Sequence, residues 1–175
     1  ALRALGVERQ VMLTGDNAGA AEAVAKAVGL DEFHASLLPE EKLERVSALV
    51  NEHERVAMVG DGVNDAPALA AATIGVAMGA AGSDAALETA DVALLNDDLS
   101  RMPQAVALAK FARRIVLENL VIALGVISLL APAAAAGYAS IGWAVVFHEG
   151  STVIVVLNAL RLLAWRPSRA LSPGA

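Results

Sequence analysis

From Asn119 to Phe147 the sequence runs for 29 residues without a formal charge, and a second apolar run, Val153–Leu160, follows after a short polar patch. A helix crossing a hydrocarbon core needs about 20 such residues. Asn119–Leu163 therefore has room for two spans joined by a tight turn near Gly137–Gly142, with Pro132 expected to kink the first. Lys110, Arg113 and Arg114 stand before the pair; Arg161, Arg166 and Arg169 stand at its end or beyond it; the turn carries no basic residue. The positive-inside rule then puts both ends of the hairpin on the cytoplasmic side, and Trp143 and Trp165 suit the two membrane interfaces. The competing reading is a re-entrant hairpin, or one buried in a soluble core.

The rest of the chain is of another kind. Residues 1–109 hold seven Lys/Arg and seventeen Asp/Glu, whereas residues 110–175 hold six and two. An acidic front half thus precedes an apolar back half with basic ends. At 57% hydrophobic the chain of 175 residues is no disordered segment. Its acidic balance and 3% aromatic content argue against nucleic-acid binding. Without cysteine it has no disulfide, thiolate metal site or Cys nucleophile. No signal peptide is expected at Ala1, which opens an already patterned segment.

In the front half, Gln10–Leu13, Val56–Val59, Ile74–Met78 and Val92–Leu95 are apolar runs of strand length bounded by Gly, Asp or Asn. Between them, Ala18–Val28, Pro39–Glu52 and Ala66–Ala72 carry apolar residues at helical spacing, and Pro39 with Glu40 and Glu41 makes a good helix entry. This alternation predicts an α/β fold with a parallel sheet. In such folds ligands bind beyond the carboxyl ends of the strands.

The densest chemical signal is Gly60-Asp61-Gly62-Val63-Asn64-Asp65-Ala66-Pro67-Ala68-Leu69, directly after a predicted strand. Two carboxylates four residues apart on a glycine-containing loop suit a hard cation, and Mg²⁺ needs few protein ligands because it keeps waters for phosphate. Asp65 stands at the cap position of the helix opened by Ala66-Pro67. Thr14-Gly15-Asp16-Asn17 follows another strand and precedes a helix, where a hydroxyl and amides can meet phosphoryl oxygens. Lys42, just inside the Pro39 helix, can offset the charge of a phosphorylated carboxylate. Taken singly, the Thr14 turn reads as an ordinary helix cap and Lys42 as a solvated helix face.

In order and spacing, Thr14-Gly15-Asp16, Pro39-Glu40-Glu41-Lys42 and Gly60–Leu69 resemble the later motifs of the P-type ATPase phosphorylation domain, a member of the haloacid dehalogenase superfamily. The resemblance covers roughly Leu5–Leu163. It implies a Rossmann-like phosphorylation domain followed by a transmembrane hairpin, with Mg²⁺ and ATP as cofactors. It makes Thr14, with Gly15 and Asp16, the phosphoryl-binding turn and Lys42 the cation facing an aspartyl phosphate. Asp61 becomes the Mg²⁺ ligand, with Asn64 and Asp65 completing the metal and phosphate shell.

The hairpin adds His148-Glu149-Gly150-Ser151-Thr152. An ionisable residue inside a membrane helix is a functional candidate by default. His148 and Thr152 are four residues apart and Glu149 and Thr152 three, so their side chains share a helix side, and Gly150 allows local unwinding. Nitrogen and oxygen donors without sulfur favour borderline divalent ions over Cu⁺. The plainer reading is that His148 and Glu149 sit near an interface or pair with Arg161 or with another helix. The run resembles the last helix of heavy-metal (type IB) P-type ATPases, especially the subgroup linked to cobalt and related divalent metals. That resemblance implies a transported-metal site at His148, Glu149, Ser151 and Thr152.

The family's phosphorylated Asp-Lys-Thr-Gly-Thr motif and its Thr-Gly-Glu motif do not occur in the sequence. The expectation is therefore the C-terminal end of a longer pump, inactive alone and partnered by the missing N-terminal part, a lipid membrane and a divalent heavy-metal ion. Its expected layout is 1–109 phosphorylation domain, 110–118 basic connector, 119–166 membrane helices and 167–175 tail. Residues 1–118 and the tail are expected on the cytoplasmic side of a plasma membrane. Two alternatives are a membrane-anchored phosphatase of the dehalogenase type and an inactive regulatory partner of an intact pump. Elsewhere, His34 and His53 read as structural or exposed, Asn119 and Asn158 as partners in hydrogen bonding between helices, and Glu118 as a partner of Arg114.

Overall fold

The first strand, β1 (Val11–Leu13), leads to α1 (Ala18–Val28), whose start Asn17 caps by accepting from the Ala20 N–H at 3.0 Å. The computed structural model describes residues 1–61, 64–79, 88–96, 98–138 and 140–167. Gly62 and Val63 of the aspartate loop, Arg169 and the tail from residue 168 lie outside the described residues.

A second strand, β2 (Glu32–His34), pairs parallel with β1, Val11 opposite Glu32. After it come α2 (Pro39–His53), β3 (Ala57–Gly60), α3 (Ala66–Ala71), β4 (Ile74–Met78) and β5 (Val92–Leu94). The last three strands form a second parallel sheet in the order β3-β4-β5. α2 opens with Pro39 at its first turn, and the Glu41 carboxylate reaches back to accept from the Leu38 N–H at 2.7 Å. The main core joins the two sheets' helices: Val46 of α2, Met58 of β3 and Ala68 and Leu69 of α3 are buried together, and Leu13 of β1 packs on them. β4 passes so close to α3 that a Cβ on Gly75 would lie 2.8 Å from the Leu69 carbonyl oxygen.

The chain divides into two compact units, Ala1–Met102 and Pro103–Ala175. The second holds α4 (Met102–Ala135) and α5 (Ile141–Ala159). α4 runs as one helix through residues 110–118 and past Pro132, which lies inside it near its C-terminal end. Gly137, at φ 78, turns the chain, and Ser140 caps the start of α5. Only 6% of the most apolar stretch of either helix is buried. A hairpin at the core of a soluble domain would be mostly covered, so the membrane reading fits and the buried-core reading does not.

Arg9 pairs with Glu32, and that hydrogen bond is the main cause holding the Glu32 carboxyl below its usual range. A lowered carboxyl adds stability while ionised and loses it as pH falls through the folded-state value. Glu32→Gln is expected to lower the urea midpoint modestly at neutral pH, the difference from wild type vanishing in acid. Leu69→Ala is expected to cost about 2–5 kcal/mol of the same unfolding transition, and Gly75→Ala is expected to destabilise through its clash with the Leu69 carbonyl.

Candidate functional site

The front unit gathers its candidate residues at the carboxyl ends of parallel strands. Thr14 follows β1; its hydroxyl accepts from the Asp16 N–H and donates to the Asp16 carboxylate, both at 3.1 Å. This turn is latched to the next loop, where the Leu37 N–H donates to the Thr14 carbonyl at 3.0 Å and the Ser36 N–H to the Asp16 carbonyl at 2.7 Å. The latch sets Thr14, Gly15 and Asp16 beside the start of α2. One turn into α2, Lys42 Nζ meets Asp65 Oδ1 at 2.8 Å, with the two side chains 17% and 13% exposed.

Asp65 opens α3, but its carboxylate makes no capping bond; it turns to Lys42 instead. The expected cap is therefore corrected: a half-buried carboxylate gains more from an ammonium than from a peptide N–H. The turn is tight as well. A Cβ on Gly60 would fall 2.7 Å from the Asp65 carboxylate, so only glycine lets β3 end this close beneath it. Asp61 and Asn64 are exposed at the mouth of the strand. The structure thus brings Lys42 and Asp65 into contact and shows none between Thr14 and Asp65.

The hairpin carries the second constellation. His148, Glu149 and Thr152 are exposed, while Ser151 is 7% exposed and the buried polar residue among those described. The Ser151 and Thr152 hydroxyls both donate to the His148 carbonyl, at 2.6 and 3.2 Å, and α5 stays helical through Gly150. Gly150, which allows local unwinding, lies within the regular helix here. Among the described residues no three or more His, Asp or Glu side chains converge on a metal position.

A polar knot lies elsewhere on the hairpin. Asn158 Nδ2 donates to Asn119 Oδ1 at 2.9 Å and to Glu118 Oε2 at 3.2 Å. Arg161 donates to Glu118 at 2.7 Å and to Asn158 at 2.6 Å, and Arg114 Nε reaches Glu118 at 3.0 Å. The Asn pair and the Arg114 contact match the sequence reading. Arg161 goes to Glu118 rather than to Glu149, which was missed; its signal was the spacing of three from Asn158, on the same helix side.

The family model of the haloacid dehalogenase-like hydrolases matches residues 1–73. A crystal structure of a zinc-transporting PIB-type ATPase in the E2·Pi state superimposes with a TM-score of 0.84 at 49% identity, over 93% of this chain and 26% of that one. This chain is homologous to the heavy-metal-transporting P-type ATPases. It is 51% identical over 165 residues to a manganese-exporting P-type ATPase of Mycobacterium leprae, covering 94% of this chain and 23% of the relative. It is 44% identical over 162 residues to a cadmium-transporting ATPase of Staphylococcus aureus, covering 93% of this chain and 22% of the relative. The chain therefore spans about a fifth to a quarter of these proteins. Its α/β part is of the dehalogenase type, and its two apolar helices match the C-terminal membrane segments of a PIB-type ATPase.

If Lys42 and Asp65 depend on each other, Lys42→Met strands a half-buried carboxylate and destabilises the unit, and Asp65→Asn in the same chain restores part of the loss. A double-mutant cycle read by denaturant unfolding is expected to give a coupling of order 1 kcal/mol.

Proposed function

We propose that this chain is the C-terminal segment of an ATP-driven pump that exports a divalent heavy-metal ion across the plasma membrane through an aspartyl phosphate. The observation that carries the reading is the Lys42–Asp65 pair at the carboxyl end of β3, joined by sequence to two exposed apolar helices. A membrane-anchored phosphatase would account for the first feature but not for the His-Glu pair within an apolar helix; an inactive regulatory partner is told apart by whether the preceding part of the protein carries the Asp-Lys-Thr-Gly-Thr motif.

Among the described residues β1 and β3 each pair on one side only, and both rest on the core around Val46. A strand from the preceding part of the pump, bearing the Asp-Lys-Thr-Gly-Thr motif, would fit between them. Its phosphorylated carboxylate would then face Lys42, whose ammonium is already held at that strand end. Thr14 would donate its hydroxyl to a phosphoryl oxygen, giving up its bond to Asp16, while Gly15 and Asp16 shape the turn.

Asp61, Asn64 and Asp65 offer only oxygen donors, which fits Mg²⁺ with its need for one or two carboxylates and retained waters. When bound, Mg²⁺ neutralises charge on the transferring phosphoryl group. Asp65, already paired with Lys42, would be one of the residues holding the metal, and Gly60 leaves room for its carboxylate at the strand end.

For the transported ion, His148 and Glu149 offer an imidazole and a carboxylate, and Ser151 and Thr152 offer hydroxyls once released from the His148 carbonyl. Donors from earlier membrane helices would complete the site. The set favours Co²⁺, Zn²⁺, Cd²⁺, Ni²⁺ or Fe²⁺ over Cu⁺. The cobalt-linked subgroup is the finer assignment, resting on the His-Glu-Gly-Ser-Thr run.

The test uses the full-length pump. Asp61→Asn and Asp65→Asn are each expected to abolish ATP turnover. Glu149→Ala and His148→Ala are expected to lose stimulation by divalent ions yet keep phosphorylation by inorganic phosphate, which reports the catalytic half alone. Unchanged stimulation in both would place the metal site on other helices.

A further inference from the structure

We propose that Ser36 is a positioning residue for the Thr14 turn, and that it acts through its backbone rather than its hydroxyl. Ser36 stands at φ 56, in the left-handed region, where a residue other than glycine, asparagine or aspartate is uncommon. The bonds on either side give the reason. β2 ends at His34, whose carbonyl accepts from the Thr14 N–H at 3.0 Å. Two residues on, the consecutive N–H groups of Ser36 and Leu37 both reach that same turn. The first donates to the Asp16 carbonyl at 2.7 Å and the second to the Thr14 carbonyl at 3.0 Å. In an extended chain successive N–H groups point to opposite sides. Two can converge on one turn only where the residue between them leaves the extended region.

The Thr14 hydroxyl is held from both ends by these bonds. Leu37 fixes the Thr14 carbonyl; Ser36 fixes the Asp16 carbonyl, and the Asp16 N–H in turn donates to Thr14 Oγ1 at 3.1 Å. The two loops are in contact, since a Cβ on Gly15 would sit 3.4 Å from the Leu37 carbonyl oxygen. The Ser36 hydroxyl meets the Asp16 carbonyl only at 3.4 Å, long for an O–H donor. Residue 36 must therefore supply a left-handed backbone and an N–H, not a hydroxyl. Glycine and asparagine supply both, whereas a β-branched residue opposes the first. The assignment rests on Thr14 as the hydrogen-bond donor to the phosphoryl group, a role that by itself asks nothing of Ser36.

The experiment measures phosphorylation of the full-length pump by inorganic phosphate, reading the half-saturating concentration apart from the maximal level. Thr14→Ala is expected to raise the half-saturating concentration about tenfold, as loss of one hydrogen bond to a charged group does. Ser36→Val is expected to raise it about fivefold, and Ser36→Thr, which keeps the hydroxyl but adds the branch, about threefold, both at an unchanged maximal level. Ser36→Gly and Ser36→Asn are expected to stay within about twofold of wild type. Added to Thr14→Ala, Ser36→Val or Ser36→Thr is expected to cost nothing further, because the hydroxyl that residue 36 positions is gone. Wild-type half-saturation in Thr14→Ala would overturn the donor role and this assignment with it. With the donor role upheld, three results would each overturn the positioning role alone: wild-type half-saturation in Ser36→Thr, a loss in Ser36→Gly as large as in Ser36→Thr, or a further loss in the Thr14→Ala background. A fall in the maximal level of Ser36→Thr with half-saturation unmoved would mean a part in folding only, and would overturn it too.

Discussion

Inside hydrocarbon a peptide N–H or C=O has no water to turn to, so the helix must satisfy its own backbone. That constraint shapes the second unit. It explains why the Ser151 and Thr152 hydroxyls, with no water to turn to either, bond back to the His148 carbonyl. It also explains why the hairpin's strongest side-chain interactions collect at the basic end. There Asn119, Asn158, Glu118 and Arg161 satisfy one another across the two helices. α4, with 34 residues, is about 50 Å long. It therefore exceeds a bilayer core of about 30 Å, and its charged first turns stand in water or headgroups.

The front unit solves the opposite problem. The chemistry proposed for it needs carboxylates and an ammonium in a place dry enough for their charges to matter and open enough for a phosphoryl group to enter. The end of β3 meets both needs. Lys42 and Asp65 are largely covered, Asp61 and Asn64 are exposed, and Gly60 removes the side chain that would push Asp65 away. The Thr14 turn is held by bonds among its own atoms and to Ser36 and Leu37. Those bonds keep its polar groups satisfied.

Much of this was legible in the sequence wherever local signals agreed. α1 has an Asn cap and a terminal Gly, and the strand ahead of Asp61 is a clean apolar run closed by glycine. β2 was not legible: Glu32-Phe33-His34 has three residues with one apolar side chain, and its pairing is decided by β1 rather than by its own composition. The start of α4 was equally hidden, since the charged residues 110–118 read as a connector but sit on a helix begun at Met102. At the site, the residue types were legible and their partners were not. Asp65 had the look of a helix cap until Lys42, 23 positions away in sequence, claimed its carboxylate. Glu118 showed its local partner Arg114, while Arg161 came from the other arm of the hairpin.

The split sheet has a further consequence. Among the described residues β1 and β3 each present a row of unpaired amides and carbonyls on one side. Natural sheets guard such edges because any extended segment can add to them. Neither β1 (Val11-Met12-Leu13) nor the Ala57-Met58-Val59 part of β3 carries the lysine or proline that blunts an edge. Among the described residues, an extended segment added to either border would pair with those amides and carbonyls.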